Sequence, residues 1–450
     1  MSVSMSSTTS KQRIFGSAEN ALVDLALQHR GYMKVGTVLH LQGPQININE
    51  LQTAVNYLQQ RHPFLRSRLK HNPDNDKSYL MEEDSNLRLN IREIPRKRDE
   101  YLDFWRQEWR EHEKDVPIIG EALAEFCLFQ DPDDAADDTA PREILFICEH
   151  SICDGISISV VAHELLIALG DNDKNLFEQS LDWPVTVEEA IQRTPITAQL
   201  PQNSNDANHR IIGHIPSGKI DFSLDDMANY CHTEASYGFL SEEETKAFFA
   251  KCHSEKITVT SAISAAVLCS LSKLIDTETT QLTVALGTDT RRRCQPSVPD
   301  HDLSYHVSTI PPFAIAQQDI SNTIDGMWQL ANTFSQYLTN SIEQQQILTI
   351  GALIGSLYRM SMGPINLAFA PTCTISNWGL SSFRKCYGRW TLINVLPIVN
   401  LVRTVCPLII VQTVNDSLLI GYLGANPFLS SETFEILRDS TMDYLRKMIK

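Results

Sequence analysis

The stretch Ile144-Leu145-Phe146-Ile147-Cys148-Glu149-His150-Ser151-Ile152-Cys153-Asp154-Gly155 ends an apolar run near a histidine and follows it, four residues on, with an Asp-Gly pair. Residues 144–147 have the length and composition of a buried strand, and residues 156–169 carry apolar side chains at helical spacing. His150 therefore sits at a strand-to-helix junction, a good position for chemistry. Its ordinary pKa lies near neutrality, so the neutral ring can take a proton from a hydroxyl or an amine. Asp154-Gly155 supplies a tight turn, and the Asp154 carboxylate either caps the following helix or fixes geometry nearby. Cys148, His150 and Cys153 are ligand types for a metal, but a fourth ligand at recognisable spacing is missing, so no metal is expected.

Working outward, a chain of 450 residues is too long for one compact core, and two domains or two fused halves are expected. With 42% hydrophobic and 21% charged residues it has the composition of an ordinary globular protein. The net charge of -17 argues against a nucleic-acid backbone as partner, although a local basic mouth for an anion remains compatible with it. Ten cysteines are scattered without a CxxC pair, which fits reduced thiols in the cytoplasm. No apolar stretch runs far enough to span a membrane. Residues 391–423 come nearest and are broken by Pro397, Arg403, Pro407 and an Asn415-Asp416 turn, so they read as strands.

The first half reads as a Ser/Thr-rich disordered tail over 1–12, a strand over 34–41, and a helical pattern over 48–69 that Pro63 ends or kinks. A helix over 101–114 and strands over 122–129 and 144–148 follow, with an acidic loop over 131–138 between those strands. The polar stretch 195–225 is the best linker candidate. A second pattern then begins, with Ser241 and Glu244 placed as a capping box and a long buried helix over 258–274. A strand over 282–286 feeds Asp289-Thr290-Arg291, and a short strand over 372–376 precedes Asn377-Trp378-Gly379. A hairpin about Asn415-Asp416 and a helix over 433–448 close the chain. The fold class is therefore α/β with mixed α+β sheets, without regular βαβ alternation. The absence of GxxxxGK(S/T), GxGxxG and GxSxG removes a phosphate cradle and the simplest hydrolase; residues 213–219 fit the first only as far as Lys219, with Ile220 where a hydroxyl is needed.

Five motifs stand in one order. They are Arg61-His62-Pro63-Phe64-Leu65-Arg66-Ser67-Arg68, His150-Ser151-Ile152-Cys153-Asp154-Gly155, Thr258-Val259-Thr260-Ser261-Ala262, Asp289-Thr290-Arg291 and Ser376-Asn377-Trp378-Gly379. This order resembles the CoA-dependent acyltransferase superfamily, and within it the alcohol acetyltransferase and mycocerosyl-transferase-like branch, near the stand-alone condensation domains. The resemblance spans about 14–450, and HxxxDG is its most specific part. It implies a chloramphenicol-acetyltransferase-like fold of two similar lobes, one over 13–200 and one over 236–450, joined by a crossover over 201–235. An active-site tunnel would run between them. The implied reaction moves an acyl group from acyl-CoA to an alcohol, with an acyl-carrier protein as alternative donor and an amine as alternative acceptor. No permanently bound cofactor is implied, and a monomer is expected.

The resemblance also distributes roles. His150 would be the general base and Asn377, or backbone N–H groups near Trp378-Gly379, the oxyanion donor. Asp154 would turn away from His150 and pair with Arg291, and Gly155 would leave room for a pantetheine arm or permit the turn. Trp378 and Gly379 would line the tunnel; Phe313 and Tyr305 are further candidates, although core packing is the more usual role of any one aromatic. Glu149 stands where the family often has a first histidine. Arg292 and Arg293 read as solvated, Arg66 and Arg68 as covering a helix end, and His62 and His163 as ordinary surface or core histidines. Ser151 is no partner for His150, because adjacent strand residues face opposite ways.

Overall fold

The computed structural model of the chain describes residues 11–97, 104–135, 137–171, 175–196, 211–275 and 280–450. The apolar strand Pro141–Cys148 is buried over all but its first residue, so it lies inside a sheet covered on both faces. It pairs antiparallel with Val35–Gln42 on one side and Ala124–Gln130 on the other. Asn90–Pro95 extends this sheet at one edge, and Trp390–Val399 with Cys386–Tyr387 extends it at the other. A second sheet holds, in spatial order, Val307–Ala316, Thr280–Asp289, Cys373–Leu380, Leu408–Val414, Ser417–Asn426 and His232–Phe239. The mixed α/β class read from the sequence is what the structure has.

Each sheet carries its own apolar core. Helices Ile48–Arg61 and Gly155–Gly170 pack on each other beside the first sheet. Val259–Leu274 packs between Ile324–Glu343 and Ser431–Ile449 beside the second. A third cluster straddles the halves: Leu22 and Leu25 of the helix Ser17–Gln28 meet Tyr305, Leu348 and Ile354. No single helix among the described residues is long and apolar enough to cross a membrane.

The division into lobes over 13–200 and 236–450 is our proposal for the main cut, and one exchange crosses it. Trp390–Val399 belongs to the second half of the chain yet pairs with Val35–Gln42 of the first, which ties the two sheets together covalently. Of the expected crossover, residues 201–210 lie outside the described residues, and His232–Phe239 is an edge strand paired with Ser417–Asn426. Residues 1–10 of the expected tail and 101–103 of the expected helix also lie outside them; the helix is described as Phe104–His112, and Gln12–Ile14 is a short strand.

The helix expected over 48–69 stops at Arg61. Pro63 opens a short 3₁₀ turn, and His62 before it is extended (φ -98°, ψ 116°), the conformation a following proline imposes. Ser67–Asn72 then forms a strand. Arg66 Nη1 donates to the Gln59 and Gln60 carbonyls (3.1 and 3.0 Å), so Arg66 covers the end of Ile48–Arg61 as expected and also pairs with Glu83, whereas Arg68 pairs with Asp84. Arg61 and His62 both hold Glu164 of the helix Gly155–Gly170, at 3.1 and 2.6 Å. This buried clasp anchors the helix that follows His150.

Candidate active site

His150 leaves the end of Pro141–Cys148 in a tight turn closed by Ile152 N donating to Glu149 O (3.1 Å). Its Nδ1 lies 2.7 Å from the Cys153 carbonyl oxygen. A carbonyl only accepts, so Nδ1 carries the hydrogen and the Nε2 lone pair is left free. Burial lowers the His150 pKa from its ordinary value, against the opposing pull of the Cys153 bond and the Asp154 charge. The ring is thus neutral at neutral pH. Tyr305 walls it edge-on, with ring centroids 5.2 Å apart.

Asp154 is both cap and clasp. Its Oδ1 accepts from Ser157 N (3.0 Å) while Ser157 Oγ accepts from Asp154 N (2.9 Å), a reciprocal cap that starts the helix. Its Oδ2 accepts from Arg291 Nη1 (2.7 Å) and His306 N (2.8 Å). Arg291 also reaches Asp289 (2.9 Å) and Ser304 O (3.0 Å), with no exposed side-chain surface. Burial raises the Asp154 carboxyl, but the Arg291 charge and these donors outweigh it and hold it below the usual range. The pair joins the two halves of the chain.

Glu149 turns the other way. It faces Lys34 at 3.6 Å, and burial pushes its carboxyl up to about 6. It lines a separate charged cavity with Lys34, Asp115 and Glu125.

A cavity of about 470 Å³ opens beside His150, lined also by Gly155, Gly287, Ser376 and Trp378. Cys373–Leu380 runs parallel to both Thr280–Asp289 and Leu408–Val414. Side chains alternate along a strand, and Thr374, Ser376 and Trp378 face this cavity. Asn377 does not line it. Its Nδ2 donates one hydrogen to Thr260 Oγ1 (2.8 Å) and its Oδ1 accepts from Gly379 N (2.8 Å), which hold the amide outside the lining. Asn377, expected as oxyanion donor, is therefore placed outside the lining, and Ser376 is inside it. Gly379 is likewise absent from the lining; at φ +76° it serves a bulge that shifts the register between Asn377 and Gly379. The strand expected to stop at 376 therefore continues to Leu380.

The side chain that sequence reasoning passed over is Ser376. Its Oγ accepts from Trp378 Nε1 (3.1 Å), which leaves its own hydrogen free to donate into the cavity. Period-two alternation alone pairs Ser376 with Trp378 on one face, and that was the available signal. Trp378 in turn rests on Gly155: a Cβ there would come within 2.1 Å of the indole. Any side chain at Gly155 would displace the ring.

The remaining candidates separate. Phe313 packs in the second core against Phe334 and does not line the cavity. Arg292 is 80% exposed and pairs with Asp300. His62 is buried on Glu164, and His163 Nδ1 meets Tyr387 OH at 2.5 Å. Glu108, Glu111 and His112 are a ligand-type cluster among the described residues, but the Arg92 guanidinium already bonds Glu108 and His112 there.

Residues 234–383 match the family model of the phthiocerol/phthiodiolone dimycocerosyl transferase C-terminus. No sequence among the curated proteins matches the chain. Among solved structures it is similar to polyketide synthase associated protein 5 from Mycobacterium tuberculosis, at 14% identity and TM-score 0.69, over 96% of this chain and 98% of that one. It is similar to a trichothecene 15-O-acetyltransferase from Fusarium sporotrichioides at 14% identity and TM-score 0.73, over 99% and 97%. The first condensation domain of the calcium-dependent antibiotic synthetase aligns at 12% identity and TM-score 0.65, over 98% and 97%. The two-lobed fold expected from the resemblance is the fold these structures share with the chain.

Proposed function

We propose, for a chain with the two-lobed fold of the CoA-dependent acyltransferases, that it moves an acyl group from a thioester to a hydroxyl with His150 as general base. The observation that carries this is the Nδ1 bond to Cys153 O, which presents a neutral imidazole with Nε2 unbonded beside a ligand-sized cavity. Nε2 takes the acceptor proton as the acceptor oxygen attacks the thioester carbonyl, then returns it to the departing thiolate. Such proton transfer contributes about 10²–10⁴-fold. No covalent enzyme intermediate is required.

The tetrahedral oxyanion needs a positioned donor, and Ser376 Oγ takes that role in place of Asn377. Trp378 Nε1 occupies one lone pair of Ser376 Oγ and so orients the hydroxyl. A donor of this kind contributes about 3 kcal/mol in the transition state. Asp154 and Arg291 act through the turn rather than on substrate. They fix the start of the helix whose first residue, Gly155, supports Trp378. Acyl-CoA is the favoured donor, and no resident cofactor takes part in the scheme.

Purified chain would be supplied with acetyl-, butyryl- or octanoyl-CoA and a panel of alcohols and amines, with free thiol measured. Alcohol-dependent release that disappears in His150→Ala supports the reading. Release dependent only on amines would move it to N-acylation. Release from a carrier-protein thioester alone would change the donor, and release that persists in His150→Ala overturns the mechanism.

A further inference from the structure

We infer that the cavity beside His150 is built for an uncharged, largely apolar alcohol, with Ala285 and Gly287 setting how much bulk it accepts. The inference rests on the reading of this cavity as the acceptor site. Among the described residues that line it, none is Asp, Glu, Lys or Arg. Its hydroxyls are largely spent within the protein: Tyr32 OH meets Thr404 Oγ1 (3.0 Å), Tyr358 OH shares a hydrogen bond with Tyr305 OH outside the lining, and Ser308, Thr309 and Ser361 donate to backbone carbonyls. A carboxylate or ammonium entering here would lose its water and meet no counter-charge, which strongly disfavours the charged form. The charged cavity at Lys34 and Glu149, on the other side of the same turn, shows that this lack of charge is local to the His150 side.

The floor is set by small residues. Ala285 and Gly287 lie two apart on Thr280–Asp289 and both face the cavity. A Cβ on Gly287 would stand 3.4 Å from Ser376 Oγ and 3.6 Å from Ser376 Cβ, an ordinary contact with no clash. A side chain there is therefore compatible with the fold and fills only the space next to Ser376. Gly155 differs, since its Cβ would strike Trp378. One cavity glycine permits packing; the other leaves room for ligand. At the mouth, Leu357 lines the cavity while 42% exposed, and Met360 one turn on is 77% exposed, so an apolar tail finds an apolar exit.

Calorimetric titration of His150→Ala with geraniol, geranate and geranylamine at pH 8 reads occupancy apart from turnover. Geraniol is expected to bind, with geranate and geranylamine weaker by about 100-fold or more. Gly287→Val in the same background, checked for folding by circular dichroism, is expected to weaken geraniol about 10-fold or more and to spare the slimmer hexan-1-ol. Equal binding of either charged analogue, no binding of geraniol, or a Gly287→Val chain that holds geraniol unchanged would each overturn the inference. Geraniol bound tightly by a wild-type chain that releases no thiol from any donor would instead remove the acyl-transfer reading and leave the cavity's preference standing.

Discussion

His150 and Ser376 reach one cavity from opposite halves of the chain, and they are held there by unlike means. The His150 ring is oriented by a carbonyl three residues away, inside its own turn. Ser376 to Gly379 are held by strand pairing, by Asn377 reaching Thr260 across 117 residues, and by Trp378 resting on Gly155. The base's tautomer is thus a local property, and the donor's placement belongs to the whole fold. Substitution in the turn ring should damage chemistry and leave stability alone; substitution where the halves meet should damage both.

The largest test of that difference is Asp154→Ala. It would leave Arg291 buried without its main partner, and a loss of about 3–5 kcal/mol is expected in urea unfolding. Arg291→Ala should cost a similar amount, and the double variant less than the sum. A loss below about 1 kcal/mol would mean that the clasp does not hold the halves together.

Ser376→Ala sharpens the comparison from the other side. It should lower kcat about 10²–10³-fold while the melting temperature barely moves. Asn377→Ala should do the reverse, giving up about 1 kcal/mol of stability with its Thr260 bond and slowing turnover much less. Were Asn377→Ala the slower enzyme, the donor would be misassigned. Gly155→Ala forces Trp378 off its seat and should cost about 1–3 kcal/mol. Trp378→Ala in the same chain should recover part of that.

A further test, spread over several residues, is acid stability. Burial holds His40 and His306 down to about 3 and His163 down to about 4, each below its unfolded value of 6.5. Between those values the unfolded chain binds more protons, so stability falls as pH drops from 6.5 toward 4. Glu149 opposes this between 4.5 and about 6, because its folded carboxyl holds a proton more tightly than the unfolded one. Urea midpoints at pH 7, 6, 5 and 4.5 should decline, and should decline more steeply in Glu149→Gln.

What the sequence made legible is what the chain builds within a few residues. The strand ending near His150, the helix from Gly155, the Ser241–Glu244 cap and the Asn415-Asp416 hairpin were all read from local pattern, and all are present. The Asp154–Arg291 pair came from the resemblance, and it stands in the structure. Ser376 was passed over although alternation from Thr374 to Trp378 puts it on the cavity face, because the reading went by residue type to the amide of Asn377. Nothing local in Trp390–Val399 says that it will pair with Val35–Gln42, and nothing local in Glu149 points to Lys34. Phe313 packs in the second core, the role expected of an aromatic taken singly.

The most direct test of His150 as base is the pH dependence of kcat/KM for acyl transfer, in the wild type and in His150→Ala. Because burial lowers the His150 pKa, the wild-type profile should rise through one limb with its midpoint below 6.5 and stay flat above it, and that limb should vanish with the ring. A limb that persists in His150→Ala, or a midpoint well above 7 in the wild type, would contradict the account.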